Sequence, residues 1–132
     1  MSIYFNVDDY PFQDECYILI GIAMEIHRIL GKGFSEIVYK DAFEYELVSR
    51  GIKFQREKEF VVHYKDIILK HKFYADFVID DKIILEVKSC KGIIDEHFAQ
   101  VLNYLTISKL KIALIINFDE KSLQHKRVIK TK

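Results

Sequence analysis

Two charged residues sit where charge is costly. Glu86 and Lys88 fall inside Ile83-Ile-Leu-Glu-Val-Lys88, a run whose other members favour burial. Desolvating a carboxylate and an ammonium is expensive unless they pair with each other or hold a metal. Their i, i+2 spacing puts both on one face of a strand. The chain supplies a control, because the acid-x-Lys pattern also occurs at Asp80-x-Lys82 and Asp119-x-Lys121, in polar turns where the charges are solvated. Two readings fit the copy in the apolar run: a functional site, or a structural ion pair at the end of a sheet.

Asp76 interrupts Phe73-Tyr-Ala-Asp-Phe-Val-Ile79 in the same way. The polar turn 80–82 makes this strand the hairpin partner of the one bearing Glu86. A two-residue loop would pair Asp76 with Leu85 and send Glu86 to the opposite face. A three-residue loop pairs Asp76 with Glu86 directly. Carboxylates side by side repel, so that register makes sense chiefly with a cation between them. Mg²⁺ suits the position, since it takes hard oxygen ligands, often one or two carboxylates with waters and substrate phosphate. The spacing therefore predicts an odd-length loop or a bulge in this hairpin.

Two further groups could face such a site. His97, Gln100 and Tyr104 are spaced i, i+3, i+7 and share one face of a helix; that face is either the wet side of an ordinary amphipathic helix or part of the site. Glu36 lies in the first turn of an earlier helix, where an acid favours the helix dipole. Tyr39 and Lys40 stand one turn further on, and Glu36 could simply pair with Lys40.

These residues need elements to position them. A helix is expected over residues 14–30, with Asp14 as a plausible N-cap. Tyr17, Ile18, Ile22, Ile26 and Ile29 make it apolar nearly all round, as for a buried helix. Gly31-Lys-Gly33 stops it. Ser35 can cap a second helix through residue 49, which Gly51 ends. Segments 53–62, 66–79 and 83–89 are rich in β-branched and aromatic residues and read as an antiparallel meander. A third helix spans residues 95–108, with Phe98, Val101, Leu102 and Leu105 on one face. Residues 111–118 form a near-continuous apolar run, suited to a central strand covered on both faces, and residues 124–132 add an edge strand. The order α-α-β-β-β-α-β(-β), with a right-handed crossover, gives a mixed sheet with helices on both faces.

At 132 residues with 50% apolar side chains, the chain suits one α/β domain with a real core. Lys and Arg number 20, as do Asp and Glu, so this is no globally basic nucleic-acid binder. Residues 1–50 carry 4 basic and 9 acidic side chains, net −5, and residues 51–132 carry 16 and 11, net +5. A positive field could therefore sit on one side. Cys16 and Cys90 show no metal-like pairing and read as reduced thiols. The first residues lack the pattern of a signal peptide. The most apolar stretch, 16–24, is far short of the ~20 residues of a membrane span. A soluble, cytoplasmic protein is expected.

Gly33-Phe-Ser-Glu36-Ile-Val-Tyr39, Asp76 followed by Glu86-Val-Lys88, and Gln100-Val-Leu-Asn-Tyr104 occur in that order, with His97 just before the glutamine. Together they resemble the GxxExxY family, a group similar to the RecB-like branch of the PD-(D/E)xK nuclease superfamily. The resemblance runs from about residue 14 to about residue 128. It departs at Ala75, where the named motif has Pro, and residues 119–132 are more charged than it leads one to expect. It implies a single-domain α/β/α sandwich with a restriction-endonuclease-like core over residues 14–132, preceded by a tail at 1–13.

The resemblance also implies metal-dependent hydrolysis of nucleic-acid phosphodiester bonds. Asp76 and Glu86, with the Val87 carbonyl, would hold Mg²⁺ or Mn²⁺. Lys88 would orient the attacking water or stabilise charge on the phosphate. Glu36 would complete the metal shell through water or help hold a second ion. Gln100 and Tyr104 would position Lys88, the water or a phosphate oxygen, and His97 would contact phosphate or cap its own helix. The partner implied is nucleic acid, with DNA first, bound through candidates such as Lys91, Lys109, Lys111, Lys126 and Arg127 that the sequence does not order in space. A net charge of zero predicts weak binding unless a protein partner adds affinity. The alternative is a non-catalytic nucleic-acid-binding or protein-interaction module on a nuclease fold.

Overall fold

Residues 112–116 are apolar without interruption, and the structure buries both sides of the strand they form. The computed structural model describes residues 2–4 and 10–131. The elements follow as β1 (Ser2–Tyr4), α1 (Gln13–Leu30), α2 (Glu36–Ser49), β2 (Phe54–Tyr64), β3 (Ile67–Ile79), β4 (Ile83–Lys88), α3 (Asp95–Ser108), β5 (Ile112–Asn117) and β6 (Gln124–Thr131). Among the described residues one six-stranded sheet has the order β1-β6-β5-β4-β3-β2. β4 and β5 are parallel, joined through α3, and the other neighbours are antiparallel. Ile112, Leu114 and Ile116 of β5 pack with Phe77, Leu85 and Val87 against α1 and α2. Ala113 and Ile115 point the other way, to Val101, Tyr104 and Leu105 of α3. The result is the expected α/β fold, helices covering both faces of a mixed sheet.

Three local expectations change. Ser2–Tyr4, read as tail, pairs antiparallel with β6, so β6 lies inside the sheet rather than at its edge. Phe12, in the left-handed region at φ 57°, takes the N-cap position of α1, and Asp14 moves into the first turn. α1 is not buried all round: Ile22 and Ile26 face the core, whereas Tyr17, Ile18 and Ile29 are exposed. An apolar residue on the outer side of a covering helix carries the same sequence signal as one on its inner side. No helix among the described residues is long and apolar enough to cross a membrane.

The β2–β3 hairpin changes faces along its length. Near its base Phe54 and Phe77 join the core under α1 and α2. Further out, Phe60, Phe73 and Ala75 pack on the α3 side. Glu57 stands between these two stretches with a positive φ of 53°, a conformation that a side chain with a Cβ rarely adopts.

Candidate functional site

The turn between β3 and β4 has three residues, 80–82, the odd length that the carboxylates require. Asp80 and Asp81 both adopt positive φ (51° and 56°), and the Lys82 N–H closes the turn on the Ile79 carbonyl at 2.9 Å. Ile79 pairs with Ile83, Val78 with Ile84 and Phe77 with Leu85, which brings Asp76 level with Glu86. Side chains then take over from the ladder. The Asp76 N–H donates to Glu86 Oε2 at 2.8 Å, and the Val87 N–H donates to Asp76 Oδ2 at 2.8 Å. Each carboxylate thus satisfies a main-chain donor of the other strand, and each keeps one further oxygen, Asp76 Oδ1 and Glu86 Oε1.

This pair is electrostatically strained. Glu86 is only 2% exposed, and the Asp76 side chain 15%. Burial first, and then the charge of Asp76, push the Glu86 carboxyl up to about 8, against the favourable pull of the Asp76 N–H, Lys88 and Lys40. Lys88, two residues along the same strand, is half-buried and donates from Nζ to Gln100 Oε1 at 3.3 Å. Tyr104, one turn beyond Gln100, is buried edge-on against Phe73 with ring centroids 5.9 Å apart. Burial, with Glu86, Asp76 and Glu57 nearby, raises its hydroxyl to about 12, so it stays protonated and able to donate. Asp76, Glu86, Lys88, Gln100 and Tyr104 therefore come together where β4 ends beneath α3.

Two expected members stand apart from the carboxylates. His97 Nδ1 accepts the Ile94 N–H at 3.1 Å, so the side chain caps its own helix. Burial and Lys88 hold its pKa below the ordinary histidine value. Glu36 is exposed in the first turn of α2, and its charge is felt at Cys90 and His97 rather than at Glu86. No group of three or more His, Cys, Asp or Glu gathers as a metal cluster among the described residues.

The Gly-rich loop before Glu36 has its own fastening. Gly33 sits at φ 107°, and the buried Tyr39 hydroxyl donates to the Gly31 carbonyl at 2.6 Å and accepts the Phe34 N–H at 3.2 Å. The Tyr39 ring stacks on Phe118 at 4.3 Å, nearly parallel. Ser89, next to Lys88, donates to the Phe34 carbonyl at 2.5 Å. On the other side, the Asn117 amide exchanges hydrogen bonds of 3.0 and 2.8 Å with the Cys90 main chain. The exit of β4 is thereby tied both to the α2 loop and to β5.

Lys40 is the residue that sequence reasoning assigned differently. It ion-pairs with Asp76 Oδ1 at 3.1 Å and with Glu57 Oε2 at 2.5 Å, in place of the pairing with Glu36 that i, i+4 spacing allows. Its position on the Glu36 face of α2 was the available signal; nothing marked Glu57. Of the basic candidates, Lys91 follows β4, on the side of the site. Lys109 and Lys111 precede β5 at the opposite end of the sheet, where they line an open cavity of about 660 Å³ with Lys130. Lys126 lies beside Phe98 and Leu102 of α3, and the Arg127 guanidinium covers the Tyr10 ring at 4.5 Å.

The sequence also matches a family profile, that of the PD-(D/E)XK nuclease superfamily, over residues 13–129. The chain belongs to this superfamily. Among solved structures, one described as the crystal structure of SSO0001 superposes on this PD-(D/E)XK chain with a TM-score of 0.58 at 19% identity. The match covers 72% of this chain and 50% of that one, so this chain spans about half of its solved neighbour, and the likeness is one of fold. Comparison with curated proteins gives no significant match.

Proposed function

We propose that this PD-(D/E)XK protein is a metal-dependent nuclease of the GxxExxY group, within the RecB-like branch, acting on nucleic acid and on DNA in the first place. One observation carries the reading. Asp76 and Glu86 meet at a buried strand end where a lysine follows two residues later, and burial together with the charge of Asp76 outweighs the pull of Lys88 and Lys40 on Glu86. The donor set fits a hard divalent cation, because Asp76 Oδ1, Glu86 Oε1 and the Val87 carbonyl offer only oxygens, and Mg²⁺ commonly keeps several waters beside one or two carboxylates. When bound, Mg²⁺ or Mn²⁺ supplies a polarised phosphate and a bound water of lowered pKa.

The chain's own residues do the rest. Lys88 Nζ, steadied by Gln100, presents a positive charge to the phosphate oxygens as negative charge develops there. Tyr104 holds its proton and donates a hydrogen bond toward the same space. Glu36, on the Lys88 and His97 side of the site, orders water at the edge of the metal shell. Lys91, which follows β4 on the side of the site, is the candidate for backbone contacts, whereas Lys109 and Lys111 lie at the opposite end of the sheet.

The test is calorimetric titration of Mg²⁺ and Mn²⁺ into wild type and Glu86→Ala, followed by incubation of both with single- and double-stranded DNA and RNA. Metal binding and cleavage in wild type, both lost in the variant, are expected. A wild type that binds no metal at millimolar concentration and cuts nothing refutes the proposal. The second reading, an interaction module on the same fold, is favoured by the exposed Tyr17, Met24, Tyr45 and Val48 on the outer helices. It requires the protein to bind no metal.

A further inference from the structure

Arg56 and Glu57 are successive strand residues, and in a regular strand they would point to opposite faces. Here both reach α2. Arg56 pairs with Asp41 and Glu44 at 2.8 Å each, and Glu57 pairs with Lys40. The positive φ of Glu57 makes this possible, and such a backbone is strained for a residue with a Cβ. The strain is local and has a visible product: a second carboxylate on Lys40, whose other partner is Asp76 Oδ1. That oxygen is one of the two that the main-chain hydrogen bonds leave over, since Asp76 Oδ2 and Glu86 Oε2 are engaged. Lys40 therefore stands where a cation held by Asp76 must come.

We propose that Lys40 is a resident counter-ion of the carboxylate site, which has to release Asp76 Oδ1 for a divalent cation to bind, and that Glu57 is the carboxylate that retains it. This rests on the metal-dependent reading above. The Lys40 ammonium needs to travel little, because Glu57 already holds it, and the Glu57 side chain is half-exposed and free to follow. Lys40 and the metal then compete for one oxygen, and Glu57 sets the terms. Removing Lys40 tightens metal binding. Removing Glu57 leaves Lys40 with Asp76 as its remaining carboxylate and weakens metal binding. Glu57 is thus a positioning residue acting through Lys40, with no need to touch the metal.

The experiment titrates Mn²⁺ and Mg²⁺ alone, by calorimetry, into wild type, Lys40→Met, Glu57→Gln and the double variant, each checked by thermal melting without metal. Relative to wild type, Kd should fall about tenfold in Lys40→Met, the change that ~1.4 kcal/mol produces, and rise severalfold in Glu57→Gln. In the Lys40→Met background, the Glu57→Gln substitution should change Kd by less than twofold. The metal-free Lys40→Met protein should melt lower than wild type even as its metal affinity rises, a divergence that a merely structural lysine would not produce. Unchanged or weaker metal binding by Lys40→Met overturns the proposal, as does a Glu57→Gln effect that persists without Lys40, which would make Glu57 a ligand. Lys40→Gln replaces Lys40→Met if the latter fails to fold. Absence of metal binding in all four proteins would instead refute the metal-dependent reading itself.

Discussion

Replacing Glu86 by Gln in the metal-free protein should stabilise it at neutral and alkaline pH. The folded chain holds the Glu86 carboxyl at about 8, whereas an unperturbed glutamate carboxyl titrates at 4.5. Between those values the folded state carries a proton that the unfolded state has released. Stability from this group is therefore full below about pH 4.5, declines as pH rises, and levels off above about 8. The gap corresponds to about 5 kcal/mol at 1.36 kcal/mol per unit, and allowing half for relaxation and water entry leaves roughly 2 kcal/mol at pH 8. Glutamine cannot ionise, and its carbonyl can still accept the Asp76 N–H. The Glu86→Gln protein should accordingly match wild type near pH 5 and melt several degrees higher at pH 8, since ~1 kcal/mol is worth about 3–5 °C in a chain of this size. Thermal and urea unfolding of both proteins in a chelator, from pH 5 to 8.5, measure the difference directly. Comparing the two curves cancels the titration of His97 and His125, whose lowered pKa values act with the opposite sign. Saturating Mg²⁺ should raise wild type at pH 8 and leave the variant unmoved. Curves that run parallel across the range, or a variant that is less stable at pH 8, would show that Glu86 carries no electrostatic strain and would remove the physical case for a cation there.

Other outcomes follow from single contacts. Lys88→Met should lower cleavage by a factor of about 10²–10³ while calorimetry still shows metal binding, because its charge acts on the phosphate rather than on the carboxylates. Tyr39→Phe keeps the stack on Phe118 but loses both hydroxyl hydrogen bonds, so urea unfolding should report a loss of about 1–2 kcal/mol. His97→Ala should cost ~1 kcal/mol of stability through the lost α3 cap and leave Mn²⁺ affinity as in wild type.

Much of the framework was legible along the chain because it depends on local repeats. The span of α3, residues 95–108, is as the spacing of Phe98, Val101, Leu102 and Leu105 requires. The unbroken apolar run of β5 announced a strand buried on both faces. The odd-length turn at 80–82 followed from the cost of misplacing two acids, which is an energetic constraint that sequence carries directly. The i, i+2 spacing of Glu86 and Lys88 decided that they share a face, and Gln100 did come to meet Lys88.

What the tertiary structure alone decided concerns pairs of groups on different elements. Lys40 had Glu36 one turn away on its own helix, yet it pairs across to Asp76 and Glu57. The reversal at Glu57 leaves no mark in residue type, since glutamate is an unlikely choice for positive φ. Likewise Ser2–Tyr4 became a strand because β6 presented it with an unpaired edge, and α1 turned Tyr17 and Ile18 outward because only one of its sides meets the sheet. Periodicity determines which side chains share a face of one helix or strand. Which faces then meet depends on backbone twists and packing summed over the whole chain, and those forces are not written at any single position.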